Sequence, residues 1–416
     1  MNDMSISRRN LLGGASAFLT LGGGLQVAFG ADVPVALGGT GSAGGTEIRA
    51  AAGGPILVVI FCRFGQDGLQ LVAPSGDPNY IAARPTIRIA ANASFGLGTL
   101  DGVDMFFHPL MPELKALYDA KQLAPIVAAG VPTNIRSHFE VQDMMERGGA
   151  DGTATPMNGW LARHMNAQNI SAPLGTVAVS TNMPTSLMGD SQALAIPNPA
   201  NFNVSGGTAT SNVTRGLMRG TTDYEKKSIE TLDAINNVQT AFRALSNNTQ
   251  TGYTGGDLST PLRSLATLIK MNVGISVATV DMGSWDHHQN LTAAFNGRAT
   301  ELSRSIAAFW NDIGAAQSQV TIVTMTEFGR RFQENANRGL DHGSASTMMV
   351  LSKDMNGGKL YGLWPGTAAN QLYGGDLAVT TDYRAVLSEV LVKRHNEAKI
   401  STVFPNVPYN PLGLFA

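Results

Sequence analysis

Five short stretches carry the residues best able to hold a metal ion or attack an ester. Asp67 sits in "CRFGQDGLQ", while "VPTNIRSHFE" holds Asn134, Arg136, Ser137 and His138. Asp281, Asp286, His287 and His288 crowd into "DMGSWDHHQN". "VTIVTMTEF" closes on Thr326-Glu327, and "RGLDHGSAS" supplies Asp341, His342 and two hydroxyls. Carboxylates and imidazoles together are the donor set of zinc- or manganese-type centres. Each stretch also has an ordinary structural reading. Asp67-Gly68 and Asp341-His342-Gly343 fit turns, with glycine at the bend. Ser137 and Glu140 have capping-box spacing, so Ser137 can simply satisfy backbone N–H groups at a helix start. Trp285 to His288 fits a solvated loop, and Glu327 can pair with Arg330 or Arg331 on the surface.

What ties these residues together is the position of the elements around them. Continuous apolar runs begin at "PILVVIF" (55–61) and recur at 123–131, 175–180, 274–282, 320–328 and 346–352. Runs of that kind suit strands buried on both faces. Helical patterns lie between them, at 111–120, 138–148, 221–246, 261–272, 291–314 and 380–395. Strands alternating with helices predict an α/β fold with a mainly parallel sheet and helices on both faces. In such sheets ligands bind beyond the carboxyl ends of the strands. Four of the apolar runs lead directly into the acids, hydroxyls and histidines named above. His108 precedes a helix and reads as structural, and His164 and His395 read as surface or core-edge residues of helices.

Composition narrows the function classes. Of 416 residues 43% are apolar and 14% charged, and 29 basic against 31 acidic residues give a net charge of -2. That balance supplies no basic face for nucleic acid. Arg8 and Arg9 precede a mildly apolar stretch that ends in the small residues Ala28-Phe29-Gly30-Ala31. This is the pattern of a twin-arginine export signal over residues 1–30, read by the twin-arginine machinery and leading to the periplasm or beyond. Glycines at 13, 14, 22, 23 and 24 make the same stretch a poor membrane span. The single cysteine, Cys62, allows no intramolecular disulfide, so an oxidising compartment leaves the fold unaffected. Residues 31–54 read as a flexible linker. Its Gly39-Thr40-Gly41-Ser42-Ala43-Gly44 matches a dinucleotide fingerprint, but Pro34 interrupts the required strand and no helix follows. The domain then runs from 55 to 416, with an Asn/Thr/Ser/Gly-rich insertion at about 181–260.

The stretches "VVIFCRFGQDGLQLVAPSGDPNY", "IRSHFEVQDMMERG", "GWLAR", "VDMGSWDHHQN", "VTMTEFGRRFQENANRGLDHG" and "AVTTDYRAVLSEVL" resemble those of exported bacterial proteins grouped as the domain of unknown function 1501 family. The resemblance covers roughly residues 55 to 416. That family is similar to the alkaline phosphatase superfamily, which includes sulfatases and cofactor-independent phosphoglycerate mutases. The resemblance implies one or two divalent metals at the strand ends. It makes Asp67 a ligand of one metal and Ser137 the nucleophile, with the helix dipole and Arg136 receiving an anion. Asp281 or Asp286, with His288, falls at the other metal. Glu327 takes the place of an aspartate that the superfamily follows with a histidine, but Phe328 stands where that histidine would be. His342 corresponds to a later, isolated histidine and joins Asp281 or Asp286 and His288 as ligands of one metal. Asp67 with Glu327 forms a second site short of a ligand, and Asn134, His138, His287 and Asp341 are supporting partners. Cys62 lacks the Cys-x-Pro-Ser-Arg context of a sulfatase nucleophile. Two functions fit. One is a metal-dependent hydrolase or transferase, zinc or manganese being the expected ion, acting on a small or polymer-borne phosphate, sulfate or related ester. The other is a non-catalytic binding or assembly protein with a periplasmic protein partner, on a degenerate form of the same fold.

Overall fold

The computed structural model describes residues 18–21, 25–28, 54–151, 155–168, 174–198, 207–222, scattered positions from 224 to 240, and 252–416. Phe18–Leu21 and Leu25–Ala28 form a short antiparallel pair. The rest of the expected export signal and nearly all of the linker lie outside the described residues, as does half of the helix expected at 221–246. Within the insertion, Gly207–Leu217 forms a helix.

All six predicted apolar runs are strands of one eight-stranded sheet. In chain order its strands are β1 (Ile56–Cys62), β2 (Leu123–Gly130), β3 (Thr176–Ala178), β4 (Leu194–Ala195), β5 (Val277–Met282), β6 (Val320–Met325), β7 (Ser346–Ser352) and β8 (Thr381–Asp382). Across the sheet they lie in the order β8-β2-β7-β6-β1-β5-β3-β4. β1 is central, in parallel register with β5 (Val277 opposite Leu57) and with β6 (Val320 opposite Ile56). β7 alone runs against its two neighbours. The sheet is therefore mainly parallel, as expected, with one reversed strand.

Successive residues of β1 alternate between two cores. Val58, Ile60 and Cys62 join one apolar cluster, and Leu57, Val59 and Phe61 join the other. Helices cover both. The first face takes α1 (Pro112–Asp119), α4 (Ser259–Lys270) and α5 (Leu291–Asp312). α5 buries Leu291, Phe295, Leu302, Ile306 and Phe309, one stripe at helical spacing. The second face takes α2 (His138–Glu146), α3 (Trp160–Gln168) and α6 (Tyr383–His395). α6 is capped at both ends: the Asp382 side chain accepts from the Arg384 N–H, and Lys393, Arg394 and His395 fill the last turn. A small antiparallel sheet (Val72–Ala73, Gly96–Leu100, Val103–Phe107) is appended after β1.

Candidate metal centre

The reversed strand decides where His342 lies. β6 ends at Met325 on the carboxyl edge, and the chain must re-enter β7 from that same edge. Residues 326–345 fold there as an extension of the hairpin, with a bridge between Arg330 and His342. Gly343 donates to the Gly329 carbonyl at 3.0 Å. A side chain at Gly343 would place Cβ 2.2 Å from the Arg330 carbonyl carbon, which is why glycine follows the histidine. The β5 loop brings Asp286 and His288 to this edge, and His138 opens α2 after β2.

Three imidazoles meet one carboxylate here. Asp286 Oδ1 lies 2.9 Å from His288 Nε2 and 3.4 Å from the Nε2 atoms of both His138 and His342. His288 Nε2 and His342 Nε2 are 3.1 Å apart. Among the described residues His138, Asp286 and His342 form the one group whose donor atoms all lie close enough to hold a metal ion, and His288 adjoins it. The two 3.4 Å edges from Asp286 to His138 and His342 suit a zinc-type ion, for which bonds of about 2.0 Å place neighbouring donors about 3.3 Å apart.

Each ring is oriented by an acceptor on its far side. His138 Nδ1 meets Glu327 Oε1 at 2.7 Å, His288 Nδ1 meets Asp341 Oδ1 at 3.0 Å, and His342 Nδ1 meets the Arg136 carbonyl at 2.7 Å. A carboxylate or carbonyl can only accept, so Nδ1 carries the hydrogen and Nε2 offers its lone pair inward. Burial pushes the His342 imidazole towards its neutral, ligating form, outweighing its bond to the Arg136 carbonyl. His138 Nε2 is buried with no hydrogen-bond partner, which is what a ligand nitrogen looks like before its ion is added. Burial alone would raise the Asp286 carboxyl, but the bond and charge of Arg330, helped by His288 and His138, hold it down at about 2. It is a carboxylate at any working pH.

Several residues expected at the site are placed elsewhere or hold other roles. Asp67 is buried in a pair with Arg84, whose two terminal nitrogens take both its oxygens. Asp281 pairs with Arg63 at 2.8 Å, and the same arginine holds Glu146 at 3.1 Å, so Asp286 is the aspartate at the centre. Glu327 is fully buried and unpaired with Arg330 or Arg331; it accepts from the Phe64 N–H, Gln142 Nε2 and His138 Nδ1. It positions a histidine instead of joining the donors. Conversely His138, expected as a supporting partner, presents its own nitrogen. Phe328 stacks on His138 at 4.8 Å and lies 5.1 Å from His342, walling the centre with an apolar ring. His287 packs against Phe295, and burial pushes it down to about 4. Asn134 donates its N–H to Asp151 and joins none of the three rings. Asp341 Oδ1 meets His288 Nδ1 and also accepts from Asn335 Nδ2 at 3.1 Å.

Ser137 stands at the N-cap of α2, but its hydroxyl caps no backbone N–H, so the capping-box reading does not hold. The Arg136 guanidinium is tied to Asp376 and Ser344 through Nη2, while its buried Nη1 has no partner. His108 is buried against Phe295 and accepts from the Leu110 N–H, a structural role as expected. His164 and His395 are not at the surface: both are buried beside Glu397, with His164 Nδ1 at 2.7 Å from its carboxylate. Their charged and polar neighbours in sequence, Arg163 beside one and Arg394 and Asn396 beside the other, gave little sign of that burial.

The profile of a family described as a protein of unknown function, DUF1501, matches residues 120–401. The chain belongs to this family. No curated protein matches it. Among solved structures it is similar to the lipoteichoic acid synthase LtaP from Listeria monocytogenes (9% identity, TM-score 0.36, covering 80% of this chain and 76% of that one). It is also similar to the PsFucS1 sulfatase from Pseudoalteromonas sp. (10% identity, TM-score 0.34, covering 87% and 70%). A third is the zinc complex of the C-terminal periplasmic domain of EcEptC from Escherichia coli (10% identity, TM-score 0.32, covering 72% and 74%). No helix among the described residues of this family member is long and apolar enough to cross a membrane.

Proposed function

We propose that the protein is an exported, metal-dependent hydrolase or transferase acting on a phosphate, sulfate or related anionic ester. The observation that carries this reading is the convergence of three inward-facing Nε2 atoms on Asp286 at a strand-end edge. His138, Asp286 and His342 would hold the ion, with His288 adjoining them on the Asp286 and His342 side. A bound zinc or manganese ion would supply Lewis-acid polarisation of an ester oxygen. Ser137, uncapped at the start of α2 and adjacent to His138, is the candidate nucleophile. The N-terminus of α2 and the unpartnered Nη1 of Arg136 would receive the anion. One ion suffices, because the carboxylates expected at a second site, Asp67 and Glu327, are already engaged.

That same engagement favours a second reading, a binding or assembly protein that keeps one metal for stability. A structural zinc site uses four protein donors, and His288 stands next to the three that converge here. Elemental analysis of the folded protein and an ester screen with and without added divalent ions separate the readings. The first expects about one ion per chain, lost in His138→Ala/His342→Ala, and turnover abolished in Ser137→Ala with the ion retained. Metal without turnover favours the second reading. Absence of bound metal from wild-type protein sinks both.

A further inference from the structure

Arg330 is the odd member of the centre. Its side chain is 1% exposed, yet it places a fixed positive charge where a metal cation is expected. Nη2 donates to Asp286 Oδ1 at 2.7 Å, and Nη1 lies 3.5 Å from His288 Nε2. Its remaining N–H groups are directed at backbone carbonyls. Nε reaches Gly65 at 2.7 Å, Nη1 reaches Leu340 at 3.2 Å, and Nη2 reaches Phe64 at 2.6 Å and Trp285 at 3.1 Å. Four of its five N–H groups are held by Asp286 and backbone carbonyls and the fifth faces His288, so Arg330 is not built as an anion clamp.

The chain is shaped around this guanidinium. Phe64 adopts φ 79°, a left-handed conformation unfavourable for an aromatic residue. It is held there from both ends, its N–H on Glu327 and its carbonyl on Arg330. Gly65 follows at φ 68°, and a Cβ there would lie 3.1 Å from the guanidinium. Backbone strain held in place by two site residues marks a built feature.

Resting on the metal-centre reading above, we infer that Arg330 is a positioning residue that substitutes for the ion in the metal-free protein. It fixes Asp286 among the three imidazoles, and it holds metal affinity below what the donor set would otherwise give. The charges agree. With the imidazoles neutral, as ligation requires, Asp286, Glu327 and Asp341 against Arg330 leave two negative charges, matched by one divalent ion. Without Arg330 the empty site would carry three and Asp286 would turn outward. With it, an arriving ion shares Asp286 Oδ1 with a guanidinium and meets a like charge at close range.

The test compares wild type with Arg330→Gln, measuring zinc and manganese affinity by chelator competition and thermal unfolding after chelator treatment. The expected result is two-sided: a lower melting temperature without metal, and at least tenfold tighter metal binding. An arginine with a merely structural role would lower both together, and unchanged or weaker binding in Arg330→Gln overturns the inference. If wild type binds no metal, the metal reading itself falls and this inference with it. Metal bound by wild type but more weakly by the variant sinks only the inference. Should Arg330→Gln fail to fold, Asp286→Asn serves in metal-free protein. It leaves the buried guanidinium without the one carboxylate it pairs with among the described residues, and a tenfold or greater drop in the folding constant is expected. An unchanged constant overturns the inference.

Discussion

At the scale of single residues, the sequence carried the donor types but not their partners. Asp67 and Asp281 have the same credentials as Asp286, each an acid just beyond a buried strand. What separates them is an arginine from elsewhere in the chain: Arg84 takes both oxygens of Asp67, and Arg63 takes Asp281. Such pairings depend on long-range packing, which residue type and spacing do not encode. Asp341 was legible as a supporting partner because it precedes His342, although the ring it holds is His288, 53 residues earlier. Its bonds from His288 and Asn335 lower its carboxyl further, so it is a firm acceptor. Removing an acceptor behind a ligating histidine typically weakens metal binding by about 10–100-fold. Asp341→Ala is therefore expected to lose metal affinity within that range while its melting temperature without metal stays close to wild type, since Asp341 is exposed. Equal affinities by chelator competition would remove Asp341 from the centre.

At the scale of elements, six strands of the main sheet were visible because an apolar run covered on both faces leaves a continuous signal, while the two-residue edge strands β4 and β8 were not. Direction was not visible. β7 reads like its parallel neighbours, and only the 326–345 connection, too irregular for a crossover helix, implies the reversal. That reversal turns Asp341-His342-Gly343 into the entry of a strand and puts His342 beside Arg330. The small residues of the connection mark the close approaches: a Cβ on Gly329 would lie 1.8 Å from the Ala345 carbonyl oxygen, and one on Gly343 would meet Arg330. Neither backbone can yield without breaking the hairpin bonds. Gly343→Ala is expected to cost about 3 kcal/mol and to abolish metal binding by displacing His342. Denaturant melts and metal titration check this, and a variant with wild-type stability and affinity would show that the loop tolerates the shift.

At the scale of the whole molecule, the buried histidines His108, His287 and His395, none of them among the converging donors, shape how the fold responds to acid. Burial holds His395 down at about 3, helped by the neighbouring His164, and it holds His108 and His287 at about 4. Each has an ordinary value of 6.5. The unfolded chain therefore takes up these protons as pH falls through 6.5, while the folded chain takes them up only near 4 and below. Between those values the unfolded state binds more protons, so stability rises with pH and is lost on acidification. Each histidine contributes a slope of up to about 1.4 kcal/mol per pH unit. The loss from pH 7 to pH 4.5 should thus be steep, and steeper than surface carboxylates alone would give, because those titrate lower. Chelator-treated protein keeps metal release out of the measurement. Replacing His395 with glutamine, which cannot take a proton, should flatten the curve by about one proton's slope even if it lowers stability at pH 7. Parallel curves for wild type and His395→Gln in denaturant melts across this range would mean that His395 is protonated in the folded state, against its burial.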